Sequence, residues 1–424
     1  MNKLSLEPLH EILYEDVLPS GLKVLILPKK GFSRVNVSFQ IAFGSIDLAA
    51  KLSSGEETVL PEGTAHFLEH MIFENTELDV SKSFSMIGSN VNAYTTFNRT
   101  VYYFSTTKEV LEPLNLLLNT ILHPTFDDTH IEKEKSIIKS EIQMYQDDLE
   151  QSLYYDTMKK MYHQNPIRSD IAGTQKSILN ITSDVLKKAY DIYYHLSNCL
   201  LVVSGDVSSE EIMTYLYNHE VSKIEKMNEL EKRICKTESS VLKHHSFELK
   251  KDVVSSMVMV GIKLDLRLLS NKEKAIIELQ FLLILDNFFG KSSPNYQKLI
   301  RRKLINNTFD YSVSVESTFF HILFYTESKR PVAIIDELRN MFSKMTVDLL
   351  GADRFENQKR KIIGQFIQIF NSPSEVAHLL LEYELKGLPL PLLMEEVDNL
   401  KISDLYPLLV HFKKESMIDF YYHS

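Results

Sequence analysis

Cysteine is scarce in this chain, which has only Cys199 and Cys235 among its 424 residues. Two cysteines are too few for a disulfide framework or for a zinc cluster built on thiolates. Long apolar runs are also missing, since no uninterrupted run approaches the ~20 residues that span a bilayer. The N-terminus carries acidic residues where a secretory signal would have its apolar stretch. We therefore expect a cytoplasmic protein whose thiols are buried or incidental.

Two motifs of well-known enzyme classes are absent as well, because the chain has neither a glycine-rich phosphate loop nor a nucleophile elbow. The formal net charge of −10 argues against nucleic acid or an anionic membrane as the main partner, and it would suit a neutral or basic substrate. Hydrophobic residues make up 44% and charged residues 25%, which is ordinary for a globular protein. A length of 424 residues favours two or more domains.

Similar segments occur in the same order in the two halves of the chain. The segment "EKEKSIIKSEIQ" at 132–143 resembles "NQKRKIIGQFIQ" at 357–368, an offset of 225 positions (357 − 132). Strand-like and amphipathic segments on either side are echoed at similar offsets. The alternative is chance similarity between amphipathic elements, but the shared order favours a diverged internal duplication.

Each half has a pattern of alternating-apolar strands, helices, a strand pair, further helices and a closing strand. This order predicts an α+β fold of two homologous α/β sandwich domains, each with a mainly antiparallel sheet and helices packed on one face. The charged stretch 221–245 is predicted to be a surface connector. The predicted domains are therefore residues 1–220 and residues 246–424.

The first half contains the segment "GTAHFLEHMIFE", in which His66 and His70 are four positions apart and Glu69 precedes the second histidine. In an α-helix, positions four apart lie about 40° from alignment and positions three apart about 60°, so the three side chains share one face. Two imidazoles at this spacing can bind one Zn²⁺, while Glu69 can reach a water on the metal. The motif is the His-Glu-x-x-His zinc helix read backwards. A chance pattern on a surface helix is the alternative.

A catalytic zinc site needs a third protein ligand and leaves one position for water. Glu134 and Glu141 are seven positions apart, so they lie on one face of a predicted helix. The second half has Lys359 and Phe366 at the corresponding positions, and its counterpart of the histidine helix, residues 281–290, has no histidine. Acidic residues on helices are usually solvated, and for Glu134 this alternative stays open. The first half is therefore predicted to carry the chemistry, and residues 246–424 to be non-catalytic.

These motifs resemble those of the pitrilysin/insulinase family of zinc metallopeptidases, and the resemblance covers nearly the whole chain. In that family the His-x-x-Glu-His helix is followed by a glutamate ligand at an interval comparable to the 71 residues found here (141 − 70). The resemblance implies one Zn²⁺ per chain with His66, His70 and Glu141 as its ligands. It also implies Glu69 as the general base and Glu134 as a supporting carboxylate of the catalytic site.

The resemblance extends to substrate binding. The segment "GSNVNAYTTFNRTVYYF" at 88–104 is similar to the edge strand to which peptides add a β-strand in this family, with Asn92 and Ala93 at the matching positions. Active members also supply an Arg and a Tyr from the non-catalytic half to hold the scissile carbonyl. That region lacks the usual Gly-Leu-x-Tyr pattern here, so the candidates are Tyr311 and either Arg301 or Arg302.

The resemblance implies a zinc-dependent endopeptidase that processes peptides or unfolded segments inside a chamber. The family's chamber contains four such domains, so we expect a homodimer or a heterodimer with a paralogous subunit, and no nucleic-acid or membrane partner. One alternative is a catalytically weak or silent partner subunit of a heterodimeric processing peptidase. The intact zinc motif argues against it, whereas the incomplete Arg/Tyr pattern favours it. A zinc hydrolase acting on a non-peptide substrate is a third possibility, which the peptide-adding edge strand disfavours.

Overall fold

The structure is a computed structural model that describes residues 1–6, 9–73, 80–225, 230–236, 238, 239, 242, 244–267 and 269–424. The chain forms two compact units, each built from three segments. Unit 1 comprises Met1–Met144, Ser169–Cys235 and Ile367–Leu385. Unit 2 comprises Tyr145–Arg168, Lys236–Phe366 and Lys386–Ser424. None of the helices in the described ranges combines the length and hydrophobicity needed to span a bilayer.

Strands and helices occur in groups along both halves of the described chain. The strands are β1 (Asn2–Leu6), β2 (Glu11–Val17), β3 (Lys23–Pro28), β4 (Val35–Ile41), β5 (Ala49–Leu52), β6 (Glu57–Val59), β7 (Ser89–Thr95), β8 (Thr100–Thr106), β9 (Cys199–Gly205), β10 (Leu230–Arg233), β11 (Ser246–Lys250), β12 (Ser256–Lys263), β13 (Asp310–Val315), β14 (Phe320–Ser328) and β15 (Met417–His423). The helices are α1 (Thr64–Phe73), α2 (Val80–Met86), α3 (Leu111–Leu122), α4 (Asp128–Asp147), α5 (Leu149–Met161), α6 (Ser183–Tyr193), α7 (Ser209–Asn218), α8 (Asn271–Phe289), α9 (Pro294–Arg301), α10 (Pro331–Phe342), α11 (Ala352–Ile369), α12 (Pro373–Leu385) and α13 (Leu390–Asn399).

The main sheet of unit 1 has seven strands in the order β1-β2-β3-β9-β4-β8-β7. Strands β3 and β9 run parallel, whereas the other neighbouring strands run antiparallel. Every residue of β4 and β9 is buried, as expected for central strands covered on both faces. Strand β7 lies at one end of this order, which places the hairpin of β7 and β8 at the sheet edge.

The sheet of unit 2 repeats this arrangement with five strands in the order β11-β15-β12-β14-β13. It matches the β3-β9-β4-β8-β7 part of unit 1 strand for strand, and its β11 and β15 also run parallel. The shared order and direction are what the duplication predicted from the sequence requires. The predicted α+β class, with mainly antiparallel sheets and packed helices, is confirmed.

Each half of the chain contributes one helix to the sheet formed by the other half. Helix α5 belongs to unit 2, where it packs on β12 and β15, and α12 belongs to unit 1, where it packs on β4 and β9. Both helices follow directly on another helix, and each has a capped N-terminus. The side chain of Asp148 accepts the N–H groups of Glu150 and Gln151, and Ser372 caps α12 just before Pro373.

This exchange makes the units differ from the contiguous division predicted from the sequence, 1–220 and 246–424, because 145–168 and 367–385 change sides. The predicted connector 221–245 also contains structure. Its strand β10 pairs with β5, and Arg233 forms an ion pair with Asp47 at 2.9 Å. Residues 226–229, 237, 240, 241 and 243 of the connector lie outside the described residues.

Helix α12 covers the face of the unit 1 sheet opposite to α1. Neighbouring residues of a strand point to opposite faces. Tyr94 bonds through its hydroxyl to His378 of α12 at 3.1 Å, whereas Thr95 bonds to Glu69 of α1 at 2.7 Å. The structure therefore adds one helix on the second face to the helices predicted on the first.

Replacing Leu380 of α12 by alanine should destabilise the protein, because its side chain is completely buried. We expect the free energy of unfolding to fall by about 2–5 kcal/mol, measured by urea denaturation. The matched control is Leu392→Ala in α13, where the side chain is 41% exposed and a change within about 0.5 kcal/mol is expected. Equal losses in the two variants would contradict the packing of α12.

Candidate metal centre

Helix α1, which carries His66, Glu69 and His70, is held at its start by a close approach of two loops. Gly63 precedes the helix with a φ of +88°, and a Cβ there would lie 2.5 Å from the carbonyl oxygen of Ala172. A Cβ on Gly173 would in turn lie 2.6 Å from the carbonyl oxygen of Glu62. Only glycine fits at such contacts and at this backbone angle. The start of α1 is therefore fixed against the 169–177 loop.

Polar side chains are buried on α1 to an unusual degree. His66 is 8% exposed and Glu69 is 9% exposed, on a helix whose other buried side chains are mostly apolar. A glutamate is rarely buried without a partner, since removing its charge from water is costly. Both side chains therefore require polar neighbours, and α4 and β7 supply them.

The side chains of His66, His70 and Glu141 converge on one point. Among the described residues they are the group whose nitrogen and oxygen donors could hold a metal ion, with all donor atoms within 4.8 Å of one another. His66 Nε2 lies 3.6 Å from Glu141 Oε1, and His70 Nε2 lies 3.5 Å from Glu141 Oε2. Ligands about 2.0–2.1 Å from a tetrahedral Zn²⁺ are separated by roughly 3.3–3.4 Å. The spacing of these donors therefore fits zinc, and coordination of zinc by the three residues stays a prediction.

Glu134 supports this group from the buried face of α4. The buried residues Ile131, Glu134, Ile138 and Ile142 follow the helical period, so packing of this stripe carries the carboxylate inwards to 1% exposure. Because an ionised carboxylate can only accept, His70 donates from Nδ1 to Glu134 Oε1 at 2.7 Å. This bond leaves the lone pair of His70 Nε2 for a metal.

The electrostatic potential around His70 is negative. Burial alone lowers the pKa of His70, but the carboxylates of Glu134, Glu69 and Glu141 outweigh that effect and raise it. A field that stabilises a proton on an imidazole also attracts a divalent cation. The charges around His70 therefore favour cation binding, in agreement with the spacing of the donors.

Removing the Glu134 carboxylate should weaken zinc binding without removing a ligand. We expect Glu134→Ala to raise the dissociation constant for Zn²⁺ by about 10- to 100-fold, because His70 loses the bond that orients it. Competition with a chromophoric chelator gives the measurement. Glu132→Ala is the control, since Glu132 lies on the same helix with its side chain 69% exposed and paired with Lys135. Unchanged affinity in Glu134→Ala would show that the support is not needed.

Glu69 lies on the same face of α1 and is oriented by strand β7. Its Oε2 accepts a hydrogen bond from the hydroxyl of Thr95 at 2.7 Å. Sequence reasoning missed Thr95, although the alternation along β7 places it on the same face as Ala93. Three donors that could hold a metal ion therefore lie beside a carboxylate held in place, which is the arrangement that a zinc ion with an adjacent base would require.

Comparison with known proteins identifies the family to which the chain belongs. The family model of Insulinase (Peptidase family M16) matches residues 36–175, and that of the Peptidase M16 inactive domain matches residues 180–362. The chain belongs to peptidase family M16. The resemblance seen in the sequence is thereby confirmed, and the inactive-domain model covers residues 246–362 of the second half that was predicted to lack ligands.

Similar proteins match the chain almost from end to end. The uncharacterized zinc protease YmfH of Bacillus subtilis (strain 168) is 33% identical over 94% of this chain and 93% of its own. The crystal structure of a putative M16-like peptidase from Alicyclobacillus acidocaldarius is 26% identical, with a TM-score of 0.93 over 99% of both chains. The periplasmic protease PqqL from Escherichia coli shares the fold with a TM-score of 0.76 and 17% identity, and this chain covers 48% of it.

The predicted substrate strand of this M16 chain is β7. Asn92 is exposed and Ala93 is half-buried, and both lie on the terminal strand of the sheet. The N–H of Ala93 donates to Asn92 Oδ1 at 2.8 Å. In the described part of the chain β7 pairs with β8, which leaves its other edge available to an extended peptide. Binding of substrate by Asn92 and Ala93 stays a prediction.

The predicted carbonyl clamp of this M16 chain lies in unit 2, and its side chains have partners there. Tyr311 donates to Asp286 Oδ1 at 2.7 Å, and burial together with this bond raises the pKa of Tyr311. Arg301 is exposed and donates from Nε to the carbonyl of Gln297 at 3.2 Å, whereas Arg302 pairs with Glu337. Contact of Tyr311, Arg301 or Arg302 with substrate stays a prediction.

Proposed function

We propose that this M16 chain is a zinc-dependent endopeptidase that cleaves peptides or unfolded protein segments. The observation that carries the proposal is the convergence of His66, His70 and Glu141, with donors within 4.8 Å of one another, beside the carboxylate of Glu69. When bound there, one Zn²⁺ per chain would lower the pKa of a water towards ~7 and polarise a substrate carbonyl.

The residues of the chain account for the remaining steps. Glu69 takes a proton from the attacking water and passes it to the leaving amine, as a positioned general base and acid. Glu134 keeps the ring of His70 in the orientation that exposes Nε2. Burial of Glu69 and His66 excludes bulk water and strengthens the electrostatic interactions around the reacting atoms.

The shape of the proposed substrate follows from β7. An extended peptide can add to the open edge of β7 by backbone hydrogen bonds, with Asn92 and Ala93 at the level of the reacting bond. A folded protein offers few free extended segments, so peptides and unstructured stretches are the expected substrates. An intact zinc site with this edge also supports a peptidase over a hydrolase of non-peptide compounds.

We further propose that the active form is a dimer, either of this chain or with a paralogous subunit, located in the cytoplasm. PqqL has the same fold with about twice the chain, since this chain covers 48% of it, so two copies would supply an equal set of units. Light scattering combined with activity at falling concentration tests the dimer. A monomer with full specific activity at every dilution would contradict it.

The test of the function uses purified protein, metal analysis and quenched fluorescent peptides. We expect about one zinc per chain, cleavage of the peptides, loss of cleavage with a chelator, and resistance of a folded protein offered as substrate. The alternative function, a silent partner subunit, would be supported by a zinc-loaded protein that cleaves none of the peptides. The absence of cleavage should then persist both with and without any co-purified partner. The partners of Tyr311 and Arg302 within unit 2 are the observation that favours this second candidate.

A further inference from the structure

The hydroxyl of Thr95 has one proton, and the surrounding bonds assign it to Glu69. Thr95 Oγ1 lies 2.7 Å from Glu69 Oε2 and 3.4 Å from the hydroxyl of Thr100. Thr100 gives its own proton to the carbonyl oxygen of Phe43 at 2.9 Å. An ionised carboxylate has no proton to donate, so Thr95 is the donor in its short bond to Glu69.

Thr95 lies on the same strand, β7, that is proposed to bind the substrate. Thr95 follows Ala93 by two residues, so both side chains lie on the sheet face that α1 covers. One strand therefore carries both the open edge proposed to pair with a peptide and the hydroxyl that holds the proposed base. The bond joins the end of β7 to Glu69 in α1, which lies 26 positions earlier in the sequence.

We propose that Thr95 is a positioning residue for the Glu69 base. Its hydroxyl fixes Oε2, which leaves Oε1 in a defined direction to accept a proton from the attacking water. Because Thr95 belongs to β7, a peptide that pairs with the edge of this strand also restrains the donor that orients the base. This inference rests on the proposed peptidase function and deepens it.

The effect of losing this donor should appear in catalysis more than in binding. Hydrogen bonds to charged groups are among the stronger ones, and a base that rotates freely is less often in reach of the water. We expect Thr95→Val, which keeps the shape and removes the hydroxyl, to lower kcat by about 10- to 100-fold. The KM and the zinc content should stay near those of the wild type, because neither the strand edge nor a ligand changes.

Two further variants separate the hydroxyl from the shape of the side chain. Thr95→Ser keeps the donor and should restore kcat to within a few-fold of wild type. Thr100→Val removes the neighbouring hydroxyl, which does not reach Glu69, and should leave kcat within a few-fold as well. A wild-type kcat in Thr95→Val, or an equal loss in Thr95→Ser, would overturn the proposal.

A measurement without substrate keeps this inference separate from the proposed function. In a double-mutant cycle of Thr95→Val and Glu69→Ala, thermal unfolding should show shifts in Tm that are not additive, because each single change removes the same bond. Additive shifts would overturn the positioning role even if the protein cleaves peptides. Non-additive shifts in a protein that cleaves no peptide would leave the bond established and would refute the peptidase function alone.

Discussion

Replacing Glu69 by glutamine should lower kcat by about 10²–10⁴-fold while the zinc stays in place. Glutamine has nearly the same shape as glutamate and can still accept a hydrogen bond from Thr95, but it cannot take a proton from water. The three predicted ligands, His66, His70 and Glu141, are untouched. Kinetics on a quenched peptide and metal analysis of the same sample give the measurement.

The control for this variant is Glu57→Gln, which changes an exposed carboxylate on β6 and should leave both activity and zinc content unaltered. Two outcomes would show that the assignment of the base is wrong. One is normal cleavage by Glu69→Gln, since the proton would then have another acceptor. The other is loss of zinc from the same variant, since Glu69 would then act as a ligand.

Loss of any one of the three predicted ligands should empty the site. A catalytic zinc held by three protein groups depends on each of them, so His66→Ala, His70→Ala and Glu141→Ala should each retain well below the roughly one zinc per chain expected of the wild type. Peptide cleavage should fall to background in all three. Chelation of the wild type should lower its Tm, whereas the variants should show little further change.

His123→Ala is the matched control for the ligand variants. Its imidazole is 62% exposed and pairs with Glu220 in unit 1, so zinc content and cleavage should stay normal. Glu141→Ala is the most informative ligand variant, because Glu141 comes from a different helix than the two histidines. Full zinc occupancy in that variant would show that another residue is the third ligand and would contradict the convergence seen in the structure.

Local periodicity explains why so much of the site could be predicted. His66, Glu69 and His70 are neighbours on one helix, and the helical repeat alone determines which face they share. The comparison of the two halves then singled out Glu134 and Glu141, since the copy has Lys359 and Phe366 at the matching positions. The family resemblance implied that Glu141 is the ligand. The structure also decides between the two interpretations of Glu134, because a carboxylate at 1% exposure bonded to His70 is not a solvated one.

Contacts between distant parts of the chain could not be predicted in this way. Tyr94 and His378 are 284 positions apart and meet because α12 crosses to the other half of the fold. The sequence of α12 does not show which sheet the helix covers, so the predicted domain limits were contiguous. Thr95 escaped notice for a related reason, since its role depends on the packing of α1 against β7.

The exchange of α5 and α12 has a consequence for the order in which the protein is made. A ribosome completes the last strand of unit 1 by residue 233, but the helix that covers β4 and β9 ends at residue 385, which is 152 residues later (385 − 233). Synthesis at about 5–20 residues per second makes this interval roughly 8–30 s. During that time an apolar sheet face lacks its cover and is a target for chaperones or aggregation. Unit 1, with its proposed zinc site, is therefore expected to mature only when the second half of the chain is nearly complete.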